Sequence, residues 1–348
     1  MTQHAHMPRD RRDLSPLQLL ARLPRTHLAH TPTPLLPAPA LAAHIGAQAG
    51  LFIKADAWTG FGLGGNKVRK LEHELSPERL DDVTHLVTAG GPQSNHCRVT
   101  AAAAAHLGLS CTLVINGRPP EPPTGNAALH RLLGAEVVSV ADRSDRNGAM
   151  EERAESIAAG GGKALVVPLG ASTPRGALGY AHAMAELHDQ IVRAGENQLK
   201  DDPVLFVAAS SGGTLAGLWL GAALLNWHPT IVAVSADDPA SSIRGKALEL
   251  AIGAIPLLPP AMVPDRATLQ SAVQRAATEA SVREDFVGDG YGLPTRESED
   301  ATSIFGRHGG IVLDPVYTSK AAAALLALLD GKRPAVFLHT GGHPALFR

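Results

Sequence analysis

The chain has 348 residues, 45% of them hydrophobic and 18% charged, with a formal net charge of −2. That length suggests about two domains with ample material for buried cores, and the near-neutral charge lacks the basic field that would recruit nucleic acid, so nucleic acid is not an expected partner. Its two cysteines, Cys97 and Cys111, are too few for a disulfide framework or a metal site and suit a reducing cytoplasm.

From the N-terminus, Arg9 to Arg12 form a basic cluster that reads as a polar lead-in rather than a binding arm. The first twenty residues are rich in His, Arg and Asp and lack the apolar core of a secretory signal. Leu51 to Asp56 then reads as a strand, followed by the glycine loop Gly60-Phe61-Gly62-Leu63-Gly64-Gly65 and a helix-like pattern from Asn66. The glycines satisfy the Gly-x-Gly-x-x-Gly spacing, with Asp81 and Asp82 at roughly the distance of a ribose-binding acid, so an NAD-dependent dehydrogenase is one reading. Lys67 carries another. A lysine in the first turn of a helix feels the positive end of the backbone dipole, and Lys70 lies one turn on; both favour the neutral amine that condenses with an aldehyde cofactor.

The run Thr84 to Val87 leads into Thr88-Ala89-Gly90-Gly91-Pro92-Gln93-Ser94-Asn95-His96 and an alanine-rich helical stretch, Val99 to Leu107. Strand, tight turn and helix start make an anion site, with Gln93, Ser94 and Asn95 adding donors for a substrate carboxylate; Ser94 or Asn95 acting simply as a helix cap is the alternative. Strand-like runs follow at Cys111, Val137 and Leu165, with a proline-rich connector from Arg118 to Pro123. Pro203 to Ala209 reads as a buried strand, Ser210-Ser211-Gly212-Gly213-Thr214 as a phosphate-cradling loop, and Leu215 to Leu225 as the helix whose N-terminus completes the cradle. A plain strand-to-helix turn is the alternative for that loop.

Beyond a strand at Ile231, the segment Ile255 to Pro264 is a turn-rich connector. Two of the chain's three tyrosines fall in Gly290-Tyr291-Gly292 and in Leu313-Asp314-Pro315-Val316-Tyr317-Thr318, at the ends of strand-like runs, the latter begun at Ile311. Open α/β sheets place ligands there, although a loop tyrosine can equally be a packing anchor. Ala321 to Leu329 is the longest apolar stretch, about half a bilayer crossing, and reads as a core helix rather than a membrane span. The last strand, at Val336, runs into His339-Thr340-Gly341-Gly342-His343; the glycines and Pro344 break the helix that would align the two histidines on a metal, so no metal site is expected. Alternating strands and helices throughout predict doubly wound α/β layers with mostly parallel sheets.

Together, Gly-Gly-Asn-Lys-x-Arg-Lys-Leu-Glu at 64–72, Gln-Ser-Asn-His at 93–96, Leu-Asp-Pro-Val-Tyr at 313–317 and His-Thr-Gly-Gly at 339–342 resemble the fold-type-II pyridoxal-phosphate enzymes of the 1-aminocyclopropane-1-carboxylate deaminase and D-cysteine desulfhydrase group. The resemblance runs from about Pro32 to Phe347. It implies a tryptophan-synthase-β-like architecture: a large cofactor-binding domain, residues 1–60 plus 173–348, and a smaller inserted one, 61–172, with pyridoxal 5'-phosphate between them. It further implies that Lys67 holds the cofactor as a Schiff base and shuttles the Cα proton, and that Asn95 bonds the phenolic oxygen. Gln93, Ser94 and Asn95 would receive the substrate carboxylate, and Ser211, Gly212, Gly213 and Thr214 the phosphate, with Lys70. Tyr291 and Tyr317 would flank the substrate, and a homodimer is implied.

In the deaminase branch a glutamate after the tyrosine pairs with the ring nitrogen, and the late motif reads Leu-Gly-Gly; here those positions are Thr318 and Thr340. A threonine offers only a neutral hydrogen bond, a weaker electron sink that suits elimination of a good β leaving group better than opening a cyclopropane. The expectation is therefore α,β-elimination of D-cysteine to pyruvate, ammonia and hydrogen sulfide, with 1-aminocyclopropane-1-carboxylate deamination and L-cysteate sulfo-lysis as alternatives. Departures from the family pattern sit at Ala55, Ala57, Trp58, Pro92, Ser210 and Ser319, with Trp58 expected to reshape the wall near Lys67. Arg175 or His96 could favour an acidic β substituent such as a sulfonate.

Overall fold

The computed structural model describes residues 14–194, 203–263 and 265–347; the Arg9 to Arg12 cluster and Pro264 lie outside them. Along the chain come α1 (Pro16–Ala21), β1 (Leu35–Pro37), α2 (Pro39–Ile45), β2 (Leu51–Lys54), α3 (Asn66–Glu74), β3 (His85–Gly90), α4 (Asn95–Leu107), β4 (Ser110–Asn116), α5 (Gly125–Leu132), β5 (Glu136–Val140), α6 (Arg146–Ala159) and β6 (Ala164–Val166). The second half holds α7 (Pro174–Ala194), β7 (Val204–Ala209), α8 (Gly213–Leu225), β8 (Thr230–Ser235), α9 (Ala240–Ala254), α10 (Arg266–Glu279), β9 (Ser281–Arg283), α11 (Arg296–Gly309), α12 (Thr318–Leu328) and β10 (Ala335–Leu338).

The strands form two sheets. One has six strands in the order β1-β2-β10-β7-β8-β9, parallel except for β1, which pairs antiparallel with β2. The other has four, β5-β4-β3-β6, all parallel and drawn wholly from residues 85–166. In the larger sheet, successive side chains enter opposite cores. Leu205, Val207 and Ala209 pack with α7, α8 and α9, whereas Val204, Phe206 and Ala208 pack with α11 and α12. Both faces are covered, which is why β7 and β10 are apolar without alternation. The smaller sheet is sandwiched likewise, Leu86 and Leu113 facing α3 and α4 and Val87 and Val114 facing α6.

The strand expected at Ile311 does not form. His339 and His343 both direct Nε2 at the Val312 carbonyl, at 2.9 and 3.0 Å, so the stretch is tied to side chains instead of a ladder. The edges β1 and β9 were not expected; each is only three residues long, too short to show a period.

The dinucleotide reading also fails. Two 3-10 turns, Asp56–Trp58 and Phe61–Leu63, separate β2 from α3, and the next strand, β3, belongs to the other sheet, so no βαβ unit closes on the glycines. Asp81 and Asp82 are exposed. The glycines serve close packing instead: a Cβ on Gly64 would lie 2.1 Å from the Ala57 carbonyl oxygen. Among the described residues, no helix is long and apolar enough to cross a membrane.

Candidate active site

The N-termini of α3, α4 and α8, at the carboxyl ends of β-strands, surround one cavity of about 650 Å³. Lys67, Lys70, Ser94, Asn95, Ser211, Gly212, Thr214, Tyr291, Tyr317 and Thr340 all line it. These residues span the chain from 67 to 340, so the fold converges the separate motifs on one space.

Lys67 stands in the first turn of α3, whose start is held from outside: the Asn66 amide donates to the Thr340 carbonyl at 3.0 Å, and Gly65 N donates to Thr59 Oγ1 at 2.8 Å. The late Thr340-Gly341 segment thus fixes the direction in which Lys67 leaves the backbone. Its Nζ donates to Asn66 Oδ1 at 3.1 Å. Burial pushes the Lys67 amine down to about 8; Asp314 opposes the shift and Arg98 adds to it. Sequence reasoning assigned the effect to the helix terminus and Lys70, but desolvation is the main cause and the influential cation is Arg98.

The loop after β7 is a cradle for an anion. Gly212 adopts φ +83°, a left-handed conformation that turns the chain into α8. Ser172, from the segment before α7, joins it: Ser172 Oγ lies 2.6 Å from Ser211 Oγ, accepts from Gly213 N at 3.2 Å and accepts from Lys70 Nζ at 3.1 Å. A Cβ on Gly213 would sit 2.7 Å from that Ser172 oxygen, so only glycine leaves the cradle open. Lys70 is 1% exposed and, among the described residues, has no carboxylate within ion-pair distance. Burial, then the Lys67 charge, pushes its amine well below the ordinary lysine value. A buried ammonium with a hydroxyl as its bonded partner is stabilised by an incoming phosphate.

At the opposite wall, Ser94 caps α4, accepting from Cys97 N at 3.2 Å, so the capping alternative holds for it while it also borders the cavity. Asn95 Oδ1 accepts from Arg98 Nη1 at 3.1 Å and from Asn126 Nδ2 at 2.9 Å. Two donors on the oxygen orient the amide and leave Nδ2 as its donor. Gln93 does not reach the cavity wall: its amide oxygen accepts from Asn126 N at 2.8 Å and its Nε2 donates to the Thr124 carbonyl at 3.0 Å. It stitches α5 to the α4 turn instead.

Tyr291 and Tyr317 meet across the cavity, their hydroxyls 2.5 Å apart, and the Arg143 guanidinium lies 5.1 Å from the Tyr291 ring centre. Burial pushes both phenols above the ordinary tyrosine value, Tyr317 far above it. Thr318 is fully buried behind the wall. Its hydroxyl donates to Asp314 Oδ1 at 2.7 Å and accepts from Asp314 N at 2.7 Å, so its one proton is committed within the chain. Asp314 also accepts from the amides of Val316, Tyr317 and Thr318, organising the start of α12.

Of the other residues singled out, Gly213 stands behind the wall with its N–H on Ser172. Pro92, Ser210 and His96 line the cavity, His96 Nε2 lying 2.8 Å from Thr88 Oγ1. Arg175 instead pairs with Glu78 at 3.0 Å on the surface, and Trp58 is 58% exposed away from the lining, because α7 and the turn after β2 point them outward. Sequence reasoning missed Ser172, Arg98, Asn66, Arg143 and Arg146. Arg98 was within reach, three residues after Asn95 on one helix face; Ser172 and the two other arginines carry no local signal.

A sequence profile described as pyridoxal-phosphate dependent enzyme matches residues 26–341. A solved structure described as an ACC deaminase homologue is 33% identical, with a TM-score of 0.79, the match covering 95% of this chain and 96% of that one. A threonine deaminase from T.th. is 20% identical over 89% of this chain and 92% of its own, with a TM-score of 0.63. A fungal L-serine ammonia-lyase from Rhizomucor miehei is 16% identical over 91% and 95%, with a TM-score of 0.62; these two share the fold alone. The cofactor is pyridoxal 5'-phosphate, and an activated lysine facing an anion cradle fits its aldehyde and its phosphate. The chain belongs to the pyridoxal-phosphate-dependent enzymes of fold type II, in the 1-aminocyclopropane-1-carboxylate deaminase family.

Proposed function

We propose that the enzyme is a carbon–sulfur lyase that eliminates the β substituent of a small sulfur-containing amino acid, with D-cysteine giving pyruvate, ammonia and hydrogen sulfide. The observation that carries the reading is the Lys67 amine, which lines the cavity in the first turn of α3 and which burial lowers to about 8. Bound pyridoxal phosphate supplies the electron sink for the carbanion at Cα. Lys67 Nζ would hold the cofactor and, facing the cavity, would take the proton from the substrate's Cα. Lys70, Ser172, Ser211 and the amides at the start of α8 hold the phosphate. The α4 turn, with Ser94 and the oriented Asn95 amide, receives the carboxylate and the phenolic oxygen. Tyr291 and Tyr317 stay protonated, and with one hydroxyl proton used in the bond between them the pair presents one donor to the departing group.

Elimination is preferred over ring opening because Thr318 and Thr340 stand where the deaminase branch carries glutamate and leucine. A threonine hydroxyl is neutral and so cannot supply the negative charge that keeps a ring nitrogen protonated, and the proton of Thr318 is committed to Asp314. The same reading divides the chain into residues 61–172 and the remainder, supported by a four-stranded sheet drawn only from 85–166. It includes a homodimer and a cytoplasmic setting, the latter supported by the two buried free thiols.

D-cysteine, L-cysteine and the cyclopropane amino acid, assayed in parallel for sulfide, pyruvate and 2-oxobutyrate, test it. Sulfide and pyruvate from D-cysteine are expected; 2-oxobutyrate as the dominant product refutes the elimination reading. Lys67→Ala should abolish turnover and borohydride-trappable cofactor, and near-normal turnover would refute the assignment of Lys67.

A further inference from the structure

Among the described residues, three lysines are withdrawn from solvent: Lys54, Lys70 and Lys320, at 0, 1 and 0% exposure. Lys54 pairs with Glu186, and Lys70 faces the phosphate cradle. Lys320 does neither. It is the third residue of α12, where the helix dipole opposes a cation, and among the described residues no carboxylate lies within ion-pair distance of it. Burying an ammonium without a counter-ion is costly. What holds it is a pair of carbonyls on the connector between β9 and α11: Nζ donates to Val287 O at 2.7 Å and to Gly290 O at 3.0 Å. Burial pushes the amine below the ordinary lysine value, and the charge of Asp237 opposes the shift.

Those carbonyls belong to the stretch that carries Tyr291. The backbone bonds beside it are long, Val287 N to Glu284 O at 3.2 Å and Leu293 N to the same Gly290 carbonyl at 3.4 Å. Gly290 adopts φ +144°, a conformation that side-chain-bearing residues rarely take, so the local sequence permits the bend without locking it. The Gly290 carbonyl and the Tyr291 amide share one planar peptide, and a bond to the first sets the direction in which the tyrosine leaves the chain. At its other end Lys320 stands on the helix turn that follows Tyr317 and that Asp314 organises. One side chain therefore spans the two backbones whose phenols meet at 2.5 Å.

We propose that Lys320 is a positioning residue: its ammonium ties the peptide before Tyr291 to the start of α12 and so brings the Tyr291 and Tyr317 hydroxyls into the contact from which the pair donates to the departing group. Lys320 is not part of the cavity lining, so it acts through Tyr291. The inference rests on the reading of that pair as the proton donor and adds the residue that sets its geometry.

Hydrogen exchange read by mass spectrometry on the holoenzyme, with and without Lys320→Met, tests the tie itself. Peptides covering 284–295 should exchange about tenfold faster in the variant, while those covering α3, α4 and α8 keep their rates. Turnover tests the consequence. The sulfur of D-cysteine leaves with the pair's proton, whereas chloride leaves β-chloroalanine as an anion that takes none. Lys320→Met should therefore lower kcat for D-cysteine by about tenfold with KM held, lower that for β-chloroalanine by less than about threefold, and add nothing to the loss caused by Tyr291→Phe. Lys320→Gln, which keeps an N–H donor on a shorter stem, should fall between, and it carries the comparison where Lys320→Met does not fold. Unchanged exchange in 284–295 overturns the inference, as do equal losses on both substrates or losses that add to those of Tyr291→Phe. Faster exchange there in an enzyme whose wild type eliminates neither substrate leaves the tie standing and removes the elimination reading.

Discussion

At the scale of single residues, the governing quantity is the protonation of Lys67. With its value near 8, about a tenth of the amine is neutral at pH 7 and about nine tenths at pH 9, so capture of pyridoxal phosphate by the apoenzyme should accelerate about tenfold across that range. Stopped-flow absorbance would read this directly, and a flat profile would dismiss the assignment. The linkage has a definite sign. The folded pKa lies below the ordinary lysine value of about 10.4, so between those limits the unfolded chain holds a proton that the folded apoprotein has lost. Stability of the apoprotein therefore rises with pH through that window. Lys67 was legible in the sequence because glycines, helix start and lysine lie in one string. Where Gln93 and Thr318 point was not legible, because their partners, Asn126 and Asp314, decide it.

At the scale of elements, α3 is the piece that must be placed accurately, and a buried ionic network places it. Arg69, between Lys67 and Lys70, donates to Asp56 through Nε and Nη2, both at 2.9 Å, and to Glu186 on α7 at 2.9 and 3.1 Å. Lys54 pairs with Glu186 from below, and Tyr180 donates to Asp56 at 2.6 Å. Helix α7 can come this close because position 179 is glycine; a Cβ there would lie 2.1 Å from the Arg69 carbonyl oxygen. Arg69→Met should cost about 3–5 kcal/mol, since it leaves two buried carboxylates sharing Lys54. Urea denaturation of the apoprotein checks this, and a loss under about 1 kcal/mol would mean that the network is incidental. Most strands and helices were readable from apolar runs bounded by glycine and proline. Arg69 was not recognised as an anchor, because an arginine beside two lysines looks like a solvated helix face until Asp56 and Glu186 are brought to it.

At the scale of the whole molecule, the cavity takes its walls from both sheets: α4 and Arg146 from the four-stranded side, α8 and Tyr317 from the six-stranded side, with α3 between them. Composition marks no boundary between the two, and Arg143 and Arg146 enter the site only through packing over long sequence separations, which local patterns do not encode. One consequence concerns how unfolding responds to the cofactor. A ligand that touches both sides binds only when they are correctly apposed, so it stabilises their apposition as well as each side, by about 2.7 kcal/mol at a hundredfold excess over Kd. Thermal unfolding followed by circular dichroism should show one transition that climbs as pyridoxal phosphate is raised. Lys67→Ala, which keeps the Lys70, Ser172 and Ser211 cradle but loses the covalent link, should climb less at the same concentrations. Two separated transitions, only one of them moved by the cofactor, would mean that the ligand is held from a single side and that the apposed walls are not its binding site.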